Sequence, residues 1–266
     1  SGKRSLSGES ILPNPFCEVM GFKGMSVERW FNLMSDFLFP GNCPVCEGPP
    51  YRTVDSYMCS ECMDVIPWIT GVRCKLCGVP MSGMEFGGLT CSSCREEAWS
   101  FRSGRCLFML DRMGKKVVHE IKYHGVRCVL KDLPHWLERS SGIPEYVEDS
   151  VLVPVPLHRK RLRTRGFNQS LWIAQALNRE IGRGTEVSEL LKRERNTPSQ
   201  TKLDRKWRKA NVKNAFALEP RTCLDTKKPL VLVDDVFTTG ATLDSCAQVL
   251  VDMGCEDVSV LALGRG

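Results

Sequence analysis

The stretch Val231 to Thr242, "VLVDDVFTTGAT", sets two adjacent carboxylates, Asp234 and Asp235, between an apolar run and a turn of small and hydroxylated residues. Neighbouring carboxylates repel one another, so a purely structural design gains little from them; they suit a partner that is cationic or rich in hydroxyl groups. The turn, Thr238, Thr239, Gly240, Ala241 and Thr242, opens a helix pattern. Backbone N–H groups at a helix start, a conformationally permissive glycine and threonine hydroxyls together make a cradle for phosphate. Carboxylates beside that cradle can accept hydrogen bonds from sugar hydroxyls or help hold a metal-bound phosphate. The element reads as a receptor for a ribose and its 5′-phosphate. A Walker A loop would need Gly-Lys-Ser/Thr after its spacers, and the stretch has none. The bland alternative is a helix-capping turn with incidental acids.

Two basic stretches could serve a polyphosphate ligand. "LHRKRLRTRG" carries His158, Arg159, Lys160, Arg161, Arg163 and Arg165 directly after the apolar "VLVPVP". Read as a basic loop, it offers cations to a departing pyrophosphate, on which negative charge builds up. The closing "RGFNQS" adds a tight turn at Gly166 and donors at Asn168 and Gln169. The same charges suit a solvated basic face or contacts to single-stranded DNA equally well. A second stretch, Lys192 to Lys213, holds nine basic residues, Arg205 and Arg208 among them, against Glu194 and Asp204. The four histidines are scattered, and only His158 sits in a motif.

Eight of the fourteen cysteines form four Cys-x-x-Cys pairs: Cys43 and Cys46, Cys59 and Cys62, Cys74 and Cys77, Cys91 and Cys94. Two spacer residues let both thiolates reach one ion, and the intervening 12, 11 and 13 residues bring in the next pair. The pattern is that of tetrahedral, closed, structural zinc sites, two ions in all. The simplest arrangement is sequential, the first two pairs on one ion and the last two on the other; spacing leaves an interleaved arrangement open. Disulfides and an iron–sulfur cluster are the rival readings. A secreted disulfide scaffold is ordinarily short and carries a signal sequence.

These groups need a scaffold. At 266 residues, 42% apolar and 26% charged, the chain can bury a sizeable core, and its net charge of +6 is moderate. Nothing approaches the roughly 18 to 20 apolar residues of a membrane span. The opening "SGKRSLSGES" has no methionine and no apolar signal core, and residues 1–25 read as a cloning scar or a disordered tail, with a cytoplasmic protein as the expectation. Residues 26–40 fit an amphipathic helix, residues 41–100 the cysteine-rich module, and residues 101–266 a domain of alternating helices and strands. Helices are expected over Met113 to Gly125, Arg127 to Ser140, Phe167 to Gly182 and "ATLDSCAQVLVDMG"; strands over Ser150 to Leu157, "SELLKR", "NVKNAFAL", "PLVLVDD" and "DVSVLALG". That alternation argues for a parallel α/β sheet, with Asp234 and Asp235 at the carboxyl end of a strand that Leu230 to Val233 form.

With these residues in view, "VLVDDVFTTGAT" resembles the phosphoribosyl pyrophosphate (PRPP) signature of type I phosphoribosyltransferases. "VLVPVPLHRKRLRTRGFNQS", "RERNTPSQTKLDRKWRKANVKNAF" and the acid-pair stretch, behind paired Cys-x-x-Cys units, are together similar to the ComF family of competence-associated proteins. The likeness runs from about Trp30 to Leu263. It implies a parallel-sheet, phosphoribosyltransferase-like domain preceded by a double zinc ribbon. It also implies PRPP bound with Mg²⁺: Asp234 and Asp235 on the ribose hydroxyls, Thr238 to Thr242 on the 5′-phosphate, and Arg159, Lys160 and Arg165 on the pyrophosphate. Gln200, Arg205 and Arg208 then fall on a mobile loop that closes over the ligand. "IKYHG" (Ile121 to Gly125) also matches, with Lys122 either facing the site or lying on the surface.

Two functions follow from this resemblance. One is phosphoribosyl transfer from PRPP to an acceptor the sequence does not name, linked to natural competence and DNA uptake. The other is a single-stranded DNA-binding competence factor whose transferase pocket is vestigial or regulatory. Competence-machinery proteins are the implied macromolecular partners, and the oligomeric state is open.

Overall fold

The computed structural model describes residues 42–48, 56–81, 89–124, 127–195, 215–220 and 225–266. The expected tail, the amphipathic helix over 26–40, and Gln200, Arg205 and Arg208 lie outside the described residues. Residues Cys43–Gly266 belong to one unit.

A five-stranded sheet forms the centre of that unit. Its strands are β1 (Gly104–Met109), β2 (Val151–Pro154), β3 (Glu186–Val187), β6 (Leu230–Phe237) and β7 (Val258–Arg265). Their spatial order is β1-β7-β6-β2-β3, and every neighbouring pair is parallel. The runs "VLVP", "LVLV" and "VSVLALG" are buried throughout, as strands covered on both faces must be. The parallel α/β architecture is the one the sequence pattern implies. Strand β1 is an addition to that pattern. So is the separate antiparallel ribbon of β4 (Leu191–Arg193) and β5 (Phe216–Leu218), which takes two segments out of the expected parallel series. Each is three residues long and finds its partner in the other, the pairing two short neighbouring strands can make without a crossover.

Helices cover both faces. Between β2 and β3 runs α7 (Gln169–Ile181), started by the Asn168 side chain, which accepts from Ser170 N, and stopped at Gly182. It buries Ser170, Ile173, Ala174 and Leu177, a helical stripe that packs with Val231, Val233 and Leu261. Between β6 and β7 runs α8 (Ala241–Asp252), whose Leu243, Cys246, Ala247 and Leu250 pack on the other face with Leu230, Leu232 and Val260. Helix α3 (Arg112–His119) is capped by Asp111 and runs into a π-helical turn, Glu120–His124. A 3₁₀ turn (Arg127–Asp132), α4 (Leu133–Arg139) and α5 (Ile143–Val147) lead to β2. Among the described residues no helix is long and apolar enough to cross a membrane.

The cysteine-rich segment is built into this sheet. The stretch between the second and third cysteine pairs runs antiparallel to β1, with Ile69 N donating to Leu107 O and Met109 N to Pro67 O. It covers what would otherwise be an open sheet edge. Cys43, Cys59 and Cys62 join the core layer under α7, whereas Cys74, Cys77 and Cys94 join the layer under α8. Asp132 is fully buried, and its two carboxylate oxygens accept from Tyr57 N and Met58 N, each at 2.7 Å, tying the approach to Cys59 to the 3₁₀ turn.

Candidate functional site

Strand order fixes where a ligand can enter. From β2 the chain crosses through α7 outward to β3, and from β6 it crosses through α8 in the opposite direction to β7. Because β2 and β6 are neighbours, a crevice opens beyond their carboxyl ends, the position at which open α/β sheets take ligands.

Asp234 and Asp235 stand at that crevice, inside β6 and not past its end. The strand was expected to stop near Val233; it continues to Phe237 because β7 is long enough to pair with it as far as Arg265. Pairing with β2 does end at Val233. The acids therefore occupy the first part of β6 that lacks its β2 neighbour.

Each carboxylate has its own setting. Asp235 is buried, and its Oδ1 lies 3.1 Å from Lys122 Nζ. Its Oδ2 is buried without a hydrogen-bond partner among the described residues. Lys122 comes from the π-helical turn after α3; such a turn carries an extra residue and re-aims its side chains. Of the two positions the sequence allowed Lys122, the structure takes the inward one. Asp234 Oδ1 accepts from Ser170 Oγ and from Asp235 N, both at 2.9 Å. Burial and the Asp235 charge push the Asp234 carboxyl up to about 7, against the opposing pull of Lys122 and these two hydrogen bonds. Near neutral pH Asp234 exchanges between a donor and an acceptor form.

The turn beyond β6 has the expected shape. Gly240 adopts φ +75°, and a Cβ there would lie 2.6 Å from the Trp99 ring and 2.8 Å from Phe237, so only glycine fits. Thr239 Oγ1 accepts from Ala241 N at 3.4 Å. Thr238 is exposed, Thr239 and Thr242 are half-buried, and Gly240 and Ala241 are buried.

The first basic stretch differs from expectation. It is a helix, α6 (Arg159–Arg165), and not a loop: its residues are mostly good helix formers, His158 Nδ1 accepts from Lys160 N, and Gly166 closes it at φ +84°. Arg159 and Lys160 are exposed at its start. Arg165, at its end, bonds Gln169 Oε1 and lies 5.4 Å from the Tyr123 ring centre, on the flank of the Lys122 turn. Arg193 on β4 lies near enough to Asp234 and Arg161 to feel both charges. Ser170 is the member of this site that sequence reasoning passed over, while Arg193 was counted only within the basic stretch from Lys192 to Lys213. Ser170 ends the singled-out string "RGFNQS", but nothing local marks it as a partner of Asp234.

The cysteines gather into two tetrads, Cys43, Cys46, Cys59 and Cys62, and Cys74, Cys77, Cys91 and Cys94, with the sulfurs of each within 4.8 Å of one another. The sequential arrangement holds and the interleaved one does not. Cys46 and Cys59 sulfurs are 3.8 Å apart, as are those of Cys77 and Cys91. A tetrahedron with zinc–sulfur bonds of about 2.3 Å has an edge of about 3.8 Å, whereas a disulfide would need about 2.05 Å. Backbone N–H groups also point at the sulfurs: Gly48 N to Cys46, Cys59 N to Cys43, Cys62 N to Cys59 and Cys91 N to Cys74, at 3.3 to 3.5 Å. Such bonds stabilise thiolates. Both tetrads are built for structural zinc.

Residues 34–95 match the family model of a double zinc ribbon domain. A "DNA utilization protein YhgH" from Salmonella typhi is 32% identical over 236 residues, covering 85% of this chain and 97% of that protein. The chain belongs to the ComF family. Another of its ComF relatives, "Competence protein ComFC" from Bacillus subtilis, is 28% identical over 218 residues, 75% of this chain and 80% of that one. Among solved structures, a purine phosphoribosyltransferase from Pyrococcus horikoshii Ot3 matches at 18% identity and a TM-score of 0.28, covering 46% of this chain and 63% of that one. At that similarity the match adds nothing to the sheet described above.

Proposed function

We propose that this ComF-family protein binds PRPP with Mg²⁺ in the β2/β6 crevice and transfers its phosphoribosyl group to an acceptor. The observation that carries this reading is the pair Asp234 and Asp235 beside a left-handed glycine turn at the switch point of a parallel sheet. A ribose presents two adjacent hydroxyls, each a donor. Asp235 Oδ2, buried and without a partner among the described residues, would accept from one, and Asp234 would meet the other. The N–H groups of the Thr238–Thr242 turn and the start of α8 suit the 5′-phosphate. Arg165, with Arg159 and Lys160 at the start of α6, would meet the departing pyrophosphate. In the transfer the bond from C1′ to pyrophosphate breaks, its electron pair leaves with pyrophosphate, and the acceptor's nucleophilic atom supplies the new pair to C1′.

Mg²⁺ is commonly held by one or two carboxylates together with substrate phosphates, and the Asp235 oxygen fits that habit. Bound there, it would neutralise charge on the departing pyrophosphate.

Calorimetric titration of PRPP with Mg²⁺ tests the proposal. Wild type should bind, and Asp234→Asn and Asp235→Asn should each weaken binding by about 10- to 100-fold, the value of a hydrogen bond to a charged group. No heat and no thermal shift with wild type would refute it.

A second reading, single-stranded DNA binding, is favoured by three cation–aromatic pairs: Arg165 with Tyr123, Arg127 with Trp172 of α7, and Lys131 with Tyr57. Arg127, Trp172 and Lys131 line a cavity of about 340 Å³ together with Arg179. Alternating aromatic faces and cations suit an unpaired strand. Charge reversal at Arg127 and Lys131, or at Arg205 and Arg208, should weaken DNA binding and lower its salt dependence. Unchanged binding would exclude the residues concerned.

A further inference from the structure

The second zinc cluster touches the Thr238–Gly240 turn by two routes. The first is Arg265, at the end of β7. Its Nη1 donates to the carbonyls of Phe237 and Thr238, at 3.2 and 3.1 Å, and its guanidinium lies over the Phe237 ring, 5.0 Å from the centre. The same guanidinium also lies within interaction distance of the zinc ligand Cys77. One side chain thus bears on both a metal-binding sulfur and the backbone of the turn. The second route is the segment that follows α2 (Ser92–Arg95), the short helix carrying Cys94. Trp99 fills the space below Gly240, and Phe101 and Phe237 pack against it and each other. Ser100 N donates to Asp244 Oδ1 and Ser100 Oγ to Gln248 Oε1, both at 2.8 Å, fixing the segment to α8 just beyond the turn.

The first cluster makes its contacts elsewhere. Lys116 Nζ of α3 donates to Val45 O, and Asp132 holds the approach to Cys59. The two clusters also belong to different core layers, and only the second shares the layer of α8.

We propose that Arg265 and Trp99 are positioning residues through which zinc in the second cluster holds the Thr238–Gly240 turn in its ligand-binding shape. Zinc in that cluster and a phosphate-bearing ligand then bind cooperatively, and zinc in the first cluster is not coupled to the turn. This inference rests on reading the turn as a phosphate site. Coupling between two sites is reciprocal, so the ligand must also raise the affinity of the second cluster for zinc. Residues behind a metal ligand commonly govern affinity or activity by about 10- to 100-fold, the range in which Arg265 is expected to act.

The test uses the full zinc-loaded chain with ribose 5-phosphate as probe. Amide hydrogen exchange over residues 237–243, ribose 5-phosphate affinity and zinc release to a chromogenic chelator are compared in wild type, Arg265→Gln, Trp99→Leu, Cys91→Ser and Cys46→Ser. The first three variants should speed exchange in the turn and weaken ribose 5-phosphate by about tenfold. Cys46→Ser should lose the first zinc and leave the turn as in wild type. Ribose 5-phosphate should reduce the share of the second zinc that the chelator takes at equilibrium, and not that of the first. Arg265→Gln and Trp99→Leu do not remove a metal ligand, so they decide the matter even where Cys91→Ser does not fold. Wild-type exchange and affinity in both would overturn the coupling while leaving the phosphate site intact. A turn whose exchange responds, in a protein that binds no ribose 5-phosphate, would overturn the ligand half together with the function above.

Discussion

Replacing Asp234 with asparagine should stabilise the protein, by an amount that depends on pH. An unfolded Asp234 releases its proton near 3.8, whereas in the folded protein burial and the neighbouring Asp235 push the carboxyl up to about 7. Between those values the native chain keeps a proton that the unfolded chain has lost, so this residue lowers stability as pH rises from about 4 to about 7. At about 1.4 kcal/mol per pH unit, the full interval corresponds to about 4 kcal/mol above pH 7. Asp235 shares part of that penalty, which leaves about 2–4 kcal/mol for Asn to recover. Asn retains the accepting oxygen, so the bonds from Ser170 Oγ and Asp235 N survive. Urea denaturation of both proteins in excess zinc, from about pH 6 upward because thiolate ligands lose zinc in acid, measures the difference. About two thirds of the gap should already be present at pH 6, and it should widen to its full value by about pH 8. A gap that stays constant with pH, or a variant less stable than wild type at pH 8, would show that Asp234 carries no ionisation penalty. A stabilising loss of function is the usual signature of a strained ligand-binding site.

Three further outcomes are expected. Lys122→Met leaves Asp235 buried without its cation and should lower stability by about 3 kcal/mol, read as a shift in the urea midpoint; an unchanged midpoint would mean that the ion pair is not formed in solution. Asp132→Asn turns an amide donor toward either Tyr57 N or Met58 N and should lower stability by about 2–3 kcal/mol while hastening zinc loss from the first cluster, both measurable by denaturation with a chelator present. Elemental analysis of freshly purified protein should find two zinc ions per chain, and one in either Cys62→Ser or Cys94→Ser; near-zero zinc in wild type would dismiss both sites.

Much of the sheet was legible because buried parallel strands are apolar along their whole length. "VLVP" and "VSVLALG" needed no partner to be recognised, and the stripe Ile173, Ala174 and Leu177 carries its own period. Other features depended on a neighbour. Strand β6 extends past the acid pair because β7 is there to pair with it. Strands β4 and β5 leave the parallel series because each is the other's nearest edge. The basic stretch became α6 through caps at His158 and Gly166, a local signal outweighed in the reading by its charge.

Chemistry that depends on near neighbours was fixed by the sequence: the acid pair, its threonine–glycine turn, and cysteine pairs that each close on one ion. Their spacing along the chain is also their spacing in space, within a turn or two of backbone. Lys122 against Asp235, Ser170 against Asp234, and Arg265 with Trp99 under the turn are contacts between segments far apart in the chain. Only packing brings such groups together, and the resulting burial turns an ordinary carboxyl at Asp234 into one that titrates near neutrality.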